Sequence, residues 1–135
     1  MTETTAANHS FLLIGRNTET QWPLVLQQAL SSLGKLYVVP EEEALQAVVQ
    51  DHYDVIIIDA GTVRDAVLLT SHVRVHRPEA RVIIATASPT WQRARKALQA
   101  GATDYIRKSL DKKELHARVQ AVLEVPAPSW PRGGQ

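Results

Sequence analysis

Five short apolar runs, about twenty residues apart, constrain this chain more than any other feature: "FLLIG" 11–15, "KLYVV" 35–39, "DVIIID" 54–59, "RVIIAT" 81–86 and "DYIRK" 104–108. The third and fourth are continuous rather than alternating, which suits strands buried on both faces of a parallel sheet. Helical periodicity lies between the runs. In 22–33, Trp22, Val25, Leu26, Ala29, Leu30 and Leu33 recur at three and four, with Pro23 in the first turn and Gly34 expected as the C′ residue. A second helix is predicted from Pro40 or Glu41, with acids favoured in its first turn by the dipole, burying Leu45, Val48 and Val49. A third runs through Val67, Leu68 and Val73 and stops before Pro78; a fourth spans roughly 90–100 and ends at Gly101. The fifth has Asp111 as N-cap and Glu114 at capping-box spacing, with Leu115, Val119, Val122 and Leu123 on its inner face. The pattern is (βα)₅, an α/β fold with a doubly wound parallel sheet of five strands.

A chain of 135 residues suits one core, expected over 11–124, with a flexible tail at 1–10 and a Pro/Gly-rich tail or linker at 125–135 that leaves Trp130 untethered. Fifteen Lys and Arg against fourteen Asp and Glu give a net charge of +1, so composition offers no general basis for binding nucleic acid or an acidic membrane surface. Cysteine is absent, which excludes disulfides, thiolate metal sites and cysteine nucleophiles. No apolar run approaches the ~20 residues of a membrane span, and "MTETTAANHS" lacks the basic start and apolar stretch of a secretory signal. The expected location is cytoplasmic.

In open α/β sheets reactive groups collect beyond the carboxyl ends of the strands, at the switch in strand order. Those ends offer Gly15, Arg16 and Asn17, then Asp59, then Thr86 with Ala87, and finally Lys108 with Ser109. An acid, a hydroxyl and an ammonium from three strands thus converge on one edge. Each has a plainer reading: Asp59 as a turn residue, Thr86 as strand packing, Lys108 and Arg16 as solvated charges. The histidines at 9, 52, 72, 76 and 116 share no metal-like spacing; His72 and His76 are i,i+4 without an accompanying acid, the pattern of a surface face.

"DVIIIDAG", "RVIIATAS" and "ALQAGATDYIRKSLDKKEL" resemble the third strand, fourth strand and closing segment of response-regulator receiver domains, the CheY-like family, over about residues 11–123. The resemblance implies a flavodoxin-like strand order of 2-1-3-4-5 and a role in bacterial two-component signalling. It implies Asp59 as the acceptor of a phosphoryl group from a histidine kinase, Thr86 and Lys108 as groups that bind it, and Tyr105 as the switch aromatic; a half-buried strand aromatic is the plainer reading of Tyr105. It implies no turnover of an external substrate. The fourth helix, fifth strand and fifth helix form the family's usual partner and homodimer face, here carrying Arg93, Arg95, Lys96 and Arg107.

The departures define an atypical member. The two magnesium-binding acids that end the family's first strand are replaced by Gly15 and Arg16, leaving Asp59 as the sole acidic ligand and magnesium only a thin site. Arg16 is therefore the candidate cation substitute, expected to pair with Asp59. Ser109 replaces the family's cis-proline, so a trans bond is expected there. A phosphorylation-independent interaction module is the alternative reading. A flavin or nucleotide binder is disfavoured, because "GRNTETQ" holds a single glycine.

Overall fold

The computed structural model describes residues 8–16 and 21–126. The expected tails, with Trp130, lie almost wholly outside the described residues, as does Asn17.

Five strands, β1 (His9–Ile14), β2 (Gly34–Val39), β3 (Val55–Asp59), β4 (Val82–Thr86) and β5 (Asp104–Arg107), alternate with five helices. The helices are α1 (Trp22–Leu30), α2 (Ala44–Gln50, entered through a 3₁₀ turn at Glu41–Glu43), α3 (Ala66–His76), α4 (Trp91–Gln99) and α5 (Lys112–Leu123). All strand pairs are parallel, in the order β2-β1-β3-β4-β5. This is the expected doubly wound, flavodoxin-like fold, and β1 begins at His9, two residues before its apolar run.

Successive strand residues point to opposite faces, and the core divides accordingly. Phe11, Leu13, Val55, Ile57, Ile83 and Ala85 pack with Trp22, Leu26, Leu30, Leu115, Val119 and Val122 of α1 and α5. Leu12, Ile14, Ile56, Ile58, Val82 and Ile84 pack with Ala44, Val48, Leu69, Val73 and Ala97 of α2, α3 and α4. Both faces are covered, which is why β3 and β4 read as unbroken apolar runs: every residue of each is buried.

Several local expectations are corrected. Val49 and Leu68 face solvent, 51% and 52% exposed, and α3 instead buries Leu69, Thr70, Val73 and Arg74. The inward polar residues bond to carbonyls nearby: Thr70 donates to the Ala66 carbonyl and Arg74 Nη1 to the carbonyls of Ala80 and Gly101. Gly34 opens β2 rather than capping α1, where any Cβ would run into the His9 backbone. Gly101, at φ +108°, is the positive-φ residue that turns the chain out of α4. Asp111 caps α5 through the amides of Lys113 and Glu114, but its own N–H goes to the Ser109 hydroxyl, so Glu114 does not complete the box.

Candidate functional site at the carboxyl edge of the sheet

The order β2-β1-β3 puts the switch point between β1 and β3. Asp59 ends β3 there, only 2% exposed, and a carboxylate so buried needs partners. It has them. Lys108 Nζ lies 3.1 Å from each carboxylate oxygen, and the Gly61 amide donates to Oδ1 at 2.9 Å.

Strand parity explains the pairing. Asp59 extends the series 55, 57, and Lys108 follows Ile106, all on the α1/α5 side of the sheet. Trp22, buried at the start of α1 on that side, holds the lysine from behind. Its ring centroid is 5.4 Å from Lys108 Nζ, a cation–π contact, and its indole N–H donates to the Ser109 carbonyl at 2.9 Å. The loop after β5 is thus tied to α1, and no cis peptide bond occurs among the described residues. Sequence reasoning gave Trp22 only a packing role; a tryptophan at the first turn after the first strand was the available signal.

Thr86 and Tyr105 belong to the opposite parity. Thr86 is buried and its hydroxyl accepts the Ser88 amide at 3.1 Å. With Tyr105, Ala60, Gly61, Arg93 and Lys96 it lines a groove of about 440 Å³ on the α3/α4 side. The Tyr105 hydroxyl is buried and finds no hydrogen-bond partner among the described residues. Acid and amine therefore meet directly, while the alcohol lies on the opposite face of the sheet, its oxygen accepting from its own loop. Gly61 touches both neighbourhoods.

Arg16 is a correction. It is exposed, and its guanidinium makes no ion pair with Asp59; the counter-charge to the acid is Lys108. The Arg16 backbone N–H instead donates to Thr62 Oγ1 at 3.1 Å. Thr62, which sequence reasoning passed over, also donates its own N–H to the Asp59 carbonyl at 3.1 Å. It follows Asp59 by three residues, inside the turn "DAGT", and a hydroxyl there was the only cue.

The residues present do not fit a divalent ion. Both Asp59 oxygens already accept hydrogen bonds, Gly15 brings no side-chain oxygen, and Arg16 brings a positive charge. Among the described residues no group of three or more His, Asp or Glu could hold a metal.

A buried carboxylate, neutralised by a lysine at the switch point of a doubly wound parallel sheet, defines a class of α/β module whose chemistry sits at the strand ends. The family model for the response regulator receiver domain matches residues 26–120, and the chain belongs to that family. It is 38% identical over 87 residues to the two-component response regulator PhoP of Pseudomonas aeruginosa, an alignment covering 63% of this chain and 39% of that one. The chain thus spans well under half the length of that relative. Among solved structures, a response regulator from Thermotoga maritima superposes with a TM-score of 0.77 at 19% identity, over 87% of this chain and 100% of the other. The receiver domain of sensor histidine kinase PA1611 from Pseudomonas aeruginosa PAO1 gives 0.73 at 26%, over 88% and 100%, and holds a magnesium ion in its active-site cleft. No helix among the described residues is long and apolar enough to cross a membrane.

Proposed function

We propose that this chain is the receiver module of a two-component response regulator in which Asp59 accepts a phosphoryl group without a divalent ion. Lys108 acts as the resident cation. The observation that carries this reading is the ammonium held 3.1 Å from both oxygens of the buried acid. Phosphoryl transfer needs little covalent help from the protein; it needs charge neutralised and groups positioned.

In the step, an Asp59 oxygen attacks the phosphorus of a phosphohistidine on a partner kinase. The O–P bond forms as the P–N bond breaks, and the bonding pair leaves with the imidazole, whose other nitrogen carries the proton. Lys108 then turns to a phosphoryl oxygen, while the Gly61 amide and the Thr86 hydroxyl supply further donors. A metal ordinarily contributes several kcal/mol of such stabilisation, so uptake here is slow. No external substrate is turned over.

Tyr105 is the proposed reporter, because its buried, unpartnered hydroxyl carries a desolvation cost of about 1–3 kcal/mol that a rotation relieves. The proposed partner face is α4–β5–α5. Exposed Arg93, Arg95, Lys96 and Arg107 favour an acidic surface on a partner or on a second copy, and Trp91 and Leu98, 75% and 51% exposed, supply apolar anchors.

A second reading, a phosphorylation-independent interaction module, is favoured by the resting occupancy of both carboxylate oxygens. One measurement separates them: intact mass after incubation with acetyl phosphate, in magnesium and in EDTA, for the native chain and Asp59→Asn. The first reading expects a phosphate adduct in both buffers that Asp59→Asn abolishes. No adduct in either buffer establishes the second, and an adduct in magnesium alone overturns the metal-free step.

A further inference from the structure

The replacement of two acids by Gly15 and Arg16 leaves open whether the cation cleft is an empty mould, ready for its ligands, or has been refilled. The contacts around Gly15 bear on this. A Cβ at position 15 would lie 2.7 Å from Thr62 Oγ1 and 2.9 Å from Asp59 Cβ. Real Cβ atoms essentially never come so close, and one of the two neighbours is the root of a buried side chain fixed by its strand.

The same hydroxyl is also a tether. Thr62 Oγ1 accepts the Arg16 N–H at 3.1 Å and reaches the Asp59 carbonyl at 3.5 Å, while Thr62 N–H donates to that carbonyl at 3.1 Å. The end of β1 and the turn after β3, the two segments that a divalent ion would bridge, are therefore joined through one threonine. On the other side Gly15 donates to the Val39 carbonyl at 2.9 Å, so the end of β1 is held from both flanks and cannot simply retreat.

We propose that Thr62 is a positioning residue that takes the place of a bridging cation, closing the β1 side of the cleft by hydrogen bonding and by occupying the space a side chain at position 15 would need. Gly15 and Thr62 are then a matched pair. Restoring acids at positions 15 and 16 does not restore a metal site while Thr62 remains, since the hydroxyl both blocks the incoming side chain and ties down the strand that would have to move. Replacing Thr62 removes the nearer of the two clashes and one of the two tethers, which frees the end of β1 to shift away from Asp59 Cβ. This inference rests on the reading of the cleft as a receiver's acceptor site, but none of its tests uses phosphate uptake. Failure to phosphorylate Asp59 overturns the function proposed above and leaves this inference standing, and the converse also holds.

The test is a cycle of thermal unfolding in EDTA and in millimolar magnesium. It compares the native chain, Thr62→Ala, the acid pair Gly15→Asp with Arg16→Asp, and the acid pair combined with Thr62→Ala. The acid pair alone is expected to lower Tm by roughly 5–15 °C, the scale of overpacking, with no response to magnesium. Combined with Thr62→Ala, the loss is expected to fall short of the sum of the separate losses, and magnesium to raise Tm. Additive shifts, a magnesium response of the native chain, or one of the acid pair with Thr62 intact overturns the proposal. Amide exchange at Arg16 in single variants gives a second measurement should the acid pair fail to fold. Thr62→Val is expected to speed exchange on the order of tenfold, the loss of one hydrogen bond, and Thr62→Ser to leave it near native. Equal exchange in both variants removes the tether.

Discussion

At the scale of single residues, the pairing of Asp59 with Lys108 dominates. The acid is 3% exposed in its side chain and the lysine 15%, so the pair is shielded from solvent on most sides. Removing one member of such a pair strands the other, which is costlier than the pair itself is stabilising. Lys108→Met is therefore expected to lose stability toward the lower end of roughly 3–5 kcal/mol, because the lysine retains some exposure. The double variant Asp59→Asn with Lys108→Met should recover much of that loss, as urea unfolding would register; equal instability of the two variants would mean that the pairing matters little. The sequence announced an acid, a hydroxyl and an amine converging at strand ends but assigned the acid's ion pair to Arg16, which was nearer in the expected topology, rather than to Lys108. What decides is parity along β3 and β5, which sends both side chains to the α1 side, and the Trp22 ring waiting there.

At the scale of elements, legibility followed how purely apolar each buried face is. β3 and β4 were plain because both of their faces are covered. The α1 face was plain because its inward residues are uniformly apolar. α3 misled because two of its inward residues are Thr70 and Arg74, whose polar atoms find carbonyls close at hand, so that Leu68 on the outside looked like the better core residue. α2 is short, and its inner seam is Ala44 and Val48 rather than Val49. The start of α5 was read from Asp111, which caps two amides at 3.0 and 3.4 Å. Asp111→Ala is expected to cost about 1 kcal/mol by thermal unfolding, and Glu114→Ala far less, because Glu114 does not return the bond. Equal effects would show that the box closes in solution.

For the whole molecule, a carboxylate at the far end of the sheet contributes a share of stability that depends on pH. Burial pushes the Asp54 carboxyl up, but the Ser10 amide bonding to it at 2.8 Å and the neighbouring His9 and His52 outweigh that, holding it below the usual carboxylate range. A carboxyl depressed in the folded state contributes stability above its unfolded pKa of ~3.9, and that contribution is lost as pH falls through the lower folded value. The difference in Tm between the native chain and Asp54→Asn should thus be present near pH 5 and close below about pH 4. A gap unchanged across that window would show that the charge of Asp54 is not what joins β1 to β3 there. The alternation that sorts the core also gives the sheet two unlike banks. Asp59 and Lys108 stand over one, Thr86 and Tyr105 over the other, with α4 on that farther shore. Gly61 stands at the ford, bonding the acid on one bank and lining the groove on the other, so the turn after β3 is a direct bridge between them.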